Sequence, residues 1–216
     1  MSETPRATPR LFDGDTLVIA THNKGKVPEI AALLEGRVPH MTSAGELGLD
    51  VPEETGTTFM ANATIKALAA ASASGKPALA DDSGLSVAAL DGAPGVYTAD
   101  WAEEGPDGEK LPARDWVMAM TKVHDRMQAS GNADKSAAFI SALALAWPDG
   151  HVEVVEGRCE GSITWPMRGE KGFGYDPVFI PDGYEVTFAE MDPTEKQAIS
   201  HRANAFALLR ERCFPG

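Results

Sequence analysis

Two carboxylates stand side by side in "ALADDSGLSVAAL" (78–90), Asp81 and Asp82, followed at once by Ser83 and Gly84. Adjacent acids repel each other, and the apolar residues before them read as a short buried strand, "PALA" (77–80), that ends at the pair. In open α/β sheets ligands gather at the carboxyl ends of strands. Two acids there form a hard-oxygen site of the kind Mg2+ uses, with one or two carboxylates completed by substrate phosphate oxygens. An ordinary Asx-turn, with Gly84 at positive φ, would need only one Asp. Glu53 and Glu54 in "PEETGTTF" (52–59) add acids just ahead of a helix, a place the helix dipole favours without any function.

Three other segments carry complementary chemistry. "ATHNKGKV" (20–27) is a strand end, a polar turn with Lys24 and Lys26, and a helix start. Turn amides and the positive helix end there would cradle an anion. It is no Walker A loop, because Ala20 and Val27 stand where Gly and Ser or Thr are required. "GEKGFGYDPVFI" (169–180) interleaves glycines with Phe173 and Tyr175, which suits the gripping of a planar base; a glycine-rich turn with core aromatics is the plainer reading. In "TEKQAISHRANAFALLRERC" (194–213), a cap at Ser200 puts His201 and Arg202 in the first helical turn, with Lys196 in the approach. His40, His124 and His151 are isolated and take no role. The sum is a phosphate cradle, hard-metal ligands, an aromatic grip and a basic patch, the parts of an Mg2+-dependent nucleotide site.

The elements that must position these groups follow from pattern. "TLVIA" (16–20) reads as a buried strand and "VPEIAALLEG" (27–36) as a helix. An Ala-rich helix spans 56–75, capped by Thr57 or Thr58 and ended by Gly75. Trp116, Met120, Val123 and Met127 mark a third helix over 113–131. "AAFISALALAW" and "HVEVVEGRCEGSIT" make a long hairpin turning at Asp149-Gly150, "DPVFI" (176–180) a strand, and a last helix starts at Thr194 or Ser200. Strands and helices alternate early and a hairpin intervenes later, which predicts an α/β protein with helices packed on a mixed sheet. The expected organisation is one domain over 16–216 behind a flexible leader of residues 1–15.

A formal net charge of −13 repels a phosphate backbone and argues against nucleic-acid binding. Two cysteines, Cys159 and Cys213, make no CxxC pair, no apolar core opens the chain, and no run is long enough to span a membrane. The expectation is a cytoplasmic protein without membrane or nucleic-acid partners.

In order, "ATHNKGKVPEI", "PEETGTTFMANATIKA", "ALADDSGLSVAALDGAPGVYTADWA", "GFGYDPVFI" and "EKQAISHRANA" resemble the inosine triphosphate pyrophosphatase family, from about residue 17 to the C-terminus. The resemblance implies Mg2+-dependent hydrolysis of ITP, dITP and XTP to the monophosphate and pyrophosphate. It implies a homodimer whose long mixed sheet lies between two α/β lobes flanking an active-site cleft. Thr21, His22, Asn23, Lys24, Gly25 and Lys26 would hold the triphosphate, although the family pattern is loose at His22. Asp82 would accept the proton and bind metal with Glu53, while Ser83 touches substrate. Phe173, Gly174, Tyr175, Asp176, Lys196, His201 and Arg202 would complete the nucleotide pocket. Three alternatives remain on the residues alone: a pyrophosphatase for modified pyrimidine or ordinary nucleotides, a nucleotide-binding module without turnover, and a nucleic-acid binder. The acid pair with both lysines weighs against the second, and the net charge against the third.

Overall fold

The computed structural model describes residues 8–22, 26–34 and 36–214. Its spine is a six-stranded mixed sheet in the order β2-β1-β3-β4-β5-β6. The strands are β1 (Thr16–Ile19), β2 (His40–Ser43), β3 (Ala78–Val87), β4 (Ser136–Ala146), β5 (Val152–Ile163) and β6 (Phe179–Pro181). β1 runs parallel to β2 and β3, and all other pairs are antiparallel. The helices are α1 (Lys26–Leu33), α2 (Phe59–Ser74), α3 (Asp100–Glu103), α4 (Trp116–Ser130), α5 (Pro193–Ile199) and α6 (His201–Cys213).

The composition of β4 explains how helices cover both its faces. Ala138, Ile140, Ala142, Ala144 and Ala146 lie on one face, small enough for the Ala63, Ala67, Ala70 and Ala71 stripe of α2 to pack closely. Leu143 and Leu145 lie on the other, beneath Phe206 and Leu209 of α6 and Ile30 of α1. Each fully buried Leu or Phe there contributes about 1.5–3 kcal/mol. A further core joins Leu85 and Val87 of β3 to Phe139, Phe179, Phe188 and the α4 residues Met120 and Val123. The long strands β3, β4 and β5 thus contribute to both the second and the third of these cores, and helices packed on a mixed sheet are the α/β architecture expected.

Caps fall where side chains can bond orphan amides. Thr58 accepts from Ala61 N to start α2, Gly75 ends it at φ 65°, and Asp115 accepts from Met118 N to start α4. The hairpin turns at Gly150, at φ 89°. Three expectations need correction. Asp81 and Asp82 do not end a strand, because β3 continues through them for ten residues, held by β4. Gly84 accordingly lies inside β3, which also excludes the alternative of an Asx-turn. "DPVFI" is a 3-10 turn over Asp176–Val178 with only Phe179–Pro181 as strand. Both starts of the last helix are used, since Ser200, at ψ 150°, ends α5 and caps α6 through Ala203 N. Within the expected leader, Phe12 N donates to Cys213 O at 2.8 Å and Arg10 pairs with Asp149 at 2.6 Å.

Candidate active site

β1 accompanies β3 only through Ala78 and Leu79. Beyond that point β3 keeps β4 on one side and opens on the other, and there the acid pair stands. Successive residues of a strand face opposite ways, so Asp81 and Asp82 enter different surroundings.

Among the described residues, Asp81 accepts two hydrogen bonds from Lys26 Nζ, at 2.8 and 2.7 Å, and Arg202 lies 3.7 Å away. Burial alone would raise its pKa, but Lys26 and Arg202 outweigh burial and hold the carboxyl below the usual carboxylate range. Asp81 thereby ties the first turn of α1 to the first turn of α6.

Asp82 meets Lys66 of α2, which bridges Asp82 Oδ1 and Glu54 Oε2 at 3.1 Å each. Burial, aided by Glu54, raises the Asp82 pKa against the pull of Lys66 and of the neighbouring Asn62 side chain. Its second oxygen, Oδ2, is buried without a hydrogen-bond partner among the described residues. A buried carboxylate oxygen left in this state is costly, and a ligand that used it would be bound strongly. Burial lowers the Lys66 pKa, but Asp82 and Glu54 more than reverse this, so the ammonium stays charged.

Two cavities open around these groups. One, of about 640 Å3, is lined by Lys26, Ser83, Phe173, Lys196, His201 and Arg202 among others. The second, of about 620 Å3, is lined by Asp82, Glu54, Asp100 and Glu103, and shares Ser83 with the first.

The aromatic grip divides its labour. Gly174, at φ 67°, turns the chain so that Phe173 is 70% exposed while Tyr175 is buried, edge-on to Trp116 at 5.6 Å. Asp176, also buried, accepts from Phe173 N and pairs with Lys196, whose Nζ lies 5.5 Å from the Phe173 ring centroid. One ring is thus offered to the cleft on a loop held by a buried ion pair.

His201 stacks on Phe139 at 5.1 Å, and its Nδ1 is buried without a partner among the described residues. Burial first, then the neighbouring Arg202 and Lys196, push its pKa down to about 3, against a weaker opposing pull from Asp81. It is therefore neutral at ordinary pH and offers one donor and one acceptor. Below about pH 6.5 the unfolded chain binds a proton at His201 that the folded chain refuses until about pH 3, so this residue's contribution to stability falls as pH drops between them. The unaltered protein is expected to lose about 2–3 kcal/mol from this source between pH 7 and 4.5. Urea unfolding at both pH values should show a smaller fall in His201→Gln. An equal fall in both proteins would contradict the buried neutral ring.

Of the residues expected at the site, Lys26, Ser83, Phe173, Gly174, Tyr175, Asp176, Lys196, His201 and Arg202 line one cleft. Asp82 lines the adjoining one. Asn23, Lys24 and Gly25 lie outside the described residues. Thr21 N bonds Ile19 O, and the exposed His22 bonds Leu49 O at 2.8 Å instead of lining either cavity. Glu53 is exposed and lines neither, whereas its neighbour Glu54 faces Asp82 through Lys66. The reading from residues missed Lys66. Its signal was present: the buried positions of α2 are 59, 62, 63, 67, 70 and 71, and residue 66 falls on that stripe. A lysine on an apolar stripe needs an acid partner.

Residues 17–212 match the model of the Ham1 family. The dITP/XTP pyrophosphatase of Rhodospirillum centenum is 60% identical over 207 residues, 95% of this chain and 98% of that protein. The dITP/XTP pyrophosphatase of Ruegeria pomeroyi is 57% identical over 208 residues, 96% of this chain and 99% of that protein. Among solved structures, a HAM1 protein from Coxiella burnetii superposes with a TM-score of 0.82 at 38% identity, covering 91% of this chain and 96% of that one. The likeness carried by the five motifs therefore extends through sequence and fold, and the chain belongs to the Ham1 family.

Proposed function

We propose that this protein hydrolyses dITP, ITP and XTP to the nucleoside monophosphate and pyrophosphate, removing deaminated purines from the nucleotide pool. The observation that carries the reading is the Asp82 carboxylate: one oxygen is held by Lys66 and the other is buried without a partner, beside a basic cleft offering Phe173. The names of relatives at 60% and 57% identity support the substrate class.

Thr21 to Lys26 take the triphosphate, Ser83 touches substrate, and Phe173 stacks on the base. Asp82 orients the attacking water and accepts its proton as the new bond to the α-phosphorus forms. The bond from that phosphorus to the bridging oxygen breaks, and pyrophosphate leaves towards Lys26. A base of ordinary carboxylate pKa, about 3.9, is weak at pH 7, and the upward shift caused by burial makes Asp82 better suited to the task.

Among the described residues no three acid, histidine or cysteine side chains form a ready metal cage. Mg2+ does not need one, because it completes its shell with phosphate oxygens and water. The unpartnered Asp82 Oδ2 and the facing Glu54 fit it, with Glu54 in the place expected of Glu53. When bound there, Mg2+ supplies positive charge to the phosphates and lowers the pKa of nearby water.

Neutral His201 and Arg202 read the 6-keto group of hypoxanthine and xanthine. Adenine would present a donor and leave a buried partner unpaired, a mismatch that can discriminate by about 10⁴ or more. The proposal includes a homodimer in the cytoplasm, with residues 16–216 as one catalytic domain behind a leader of residues 1–15. No described helix is long and apolar enough to cross a membrane.

The test is to incubate the protein and Mg2+ separately with dITP, XTP, dATP and dGTP and resolve the products. Monophosphate and pyrophosphate from dITP and XTP are expected, with kcat/KM at least about 10² above dATP. Equal use of dATP would contradict the base reading, and diphosphate with phosphate would contradict the reaction.

A further inference from the structure

The described cations of the aromatic cleft each pair with a buried or half-buried acid: Lys26 with Asp81, Lys196 with Asp176, and Arg202 with Asp81 besides the exposed Glu29. Arg114 differs from all of them. It lies outside the five motifs, two residues before α4, yet with Ser83 and Ala99 it lines both cavities. Its guanidinium pairs with Glu103 at 2.8 Å and lies 5.8 Å from the Trp116 ring centroid. That ion pair is open to water, with side chains 52% and 31% exposed, and exposed pairs hold weakly.

Its root, in contrast, is fixed. Asp115 caps α4, its N–H donates to Ala102 O at 2.8 Å, and Leu111 N donates to Glu103 O at 2.7 Å. A planar, exposed guanidinium on an anchored stem, held by one half-buried carboxylate, is well placed to exchange that partner for a phosphate, which it can bind through two parallel bonds. The location selects which phosphate. The nucleoside occupies the aromatic cleft and Asp82 stands in the acidic one, so the phosphorus under attack lies where the two meet, beside Ser83 and Arg114.

We propose that Arg114 is a substrate-contacting residue that leaves Glu103 and binds the α-phosphoryl group when the nucleotide enters. This rests on the nucleotide pyrophosphatase reading above. It assigns the exposed pair Arg114–Glu103 to the waiting state of the site, and the α3–α4 connection to the binding machinery.

Binding of IMP, a product that is not turned over, tests it apart from catalysis. Dissociation constants for IMP and for inosine are measured by calorimetry with Mg2+ for the unaltered chain, Arg114→Gln, Arg114→Lys and Glu103→Gln. Arg114→Gln should weaken IMP by about 10- to 100-fold, the worth of a charged hydrogen-bond pair, with Arg114→Lys between. Inosine should change by less than about threefold, since it lacks the phosphate. Glu103→Gln should bind IMP equally well or more tightly, because it frees the arginine. Unchanged IMP affinity in Arg114→Gln, a parallel loss for inosine, or weaker IMP binding in Glu103→Gln would overturn the proposal. No IMP binding by the unaltered chain would strike the nucleotide reading itself.

Discussion

Asp82→Asn is expected to lower kcat on dITP by about 10²–10⁴, the usual worth of a positioned general base, while leaving stability within about 1 kcal/mol. The side chains are nearly isosteric, so the loss is of charge and basicity and not of shape. Lys66 keeps Glu54 as its ion-pair partner in the variant. The charge removed is one that burial already disfavours, with one oxygen unbonded. Activity and stability should therefore separate. Turnover and urea midpoints on the same preparations check this. A variant that lost both in step would mark Asp82 as structural, and one with near-normal turnover would remove it from the base role.

The second large effect is expected at Gly157→Ala, far from any reacting atom in sequence. α6 is pressed so closely on β5 at this point that a Cβ on residue 157 would collide with the backbone of His201 and Ala205. Backbone cannot rotate away as a side chain can, so the helix must shift. Overpacking of this kind costs about 1–3 kcal/mol. The shift displaces the first turn of α6, which carries both His201 and Arg202. Displacements of about 1 Å in positioning groups can cost about 10² in rate. Gly157→Ala should thus lose about 1–3 kcal/mol and about 10²-fold in kcat/KM on dITP together. Unfolding curves and steady-state kinetics check it, and an unchanged protein would show that α6 tolerates a wider seat.

Much of this was legible in the residues, and the failures have physical causes. The α2 caps, the hairpin at Gly150 and the two basic helix starts rest on local chemistry, which sequence displays directly. The full length of β3 does not. Asp, Ser and Gly are poor strand formers, and "DDSG" holds its extended form because β4 pairs with it from Ala78 to Val87. The four residues of β2 carry no alternation to read. Glu53 and Glu54 are neighbours on a segment without regular structure, and the pairing of Lys66 with Glu54 distinguishes them. Arg114 belongs to no motif; it reaches the site because the chain after α3 folds back onto it.

The central claim is that Asp82 directs water to the α-phosphorus. Hydrolysis of dITP in ¹⁸O-enriched water, with mass analysis of both products, tests it most directly. Label in the monophosphate and none in the pyrophosphate is the expected result. Label in the pyrophosphate would put the attack on the β-phosphorus and contradict the role given to Asp82.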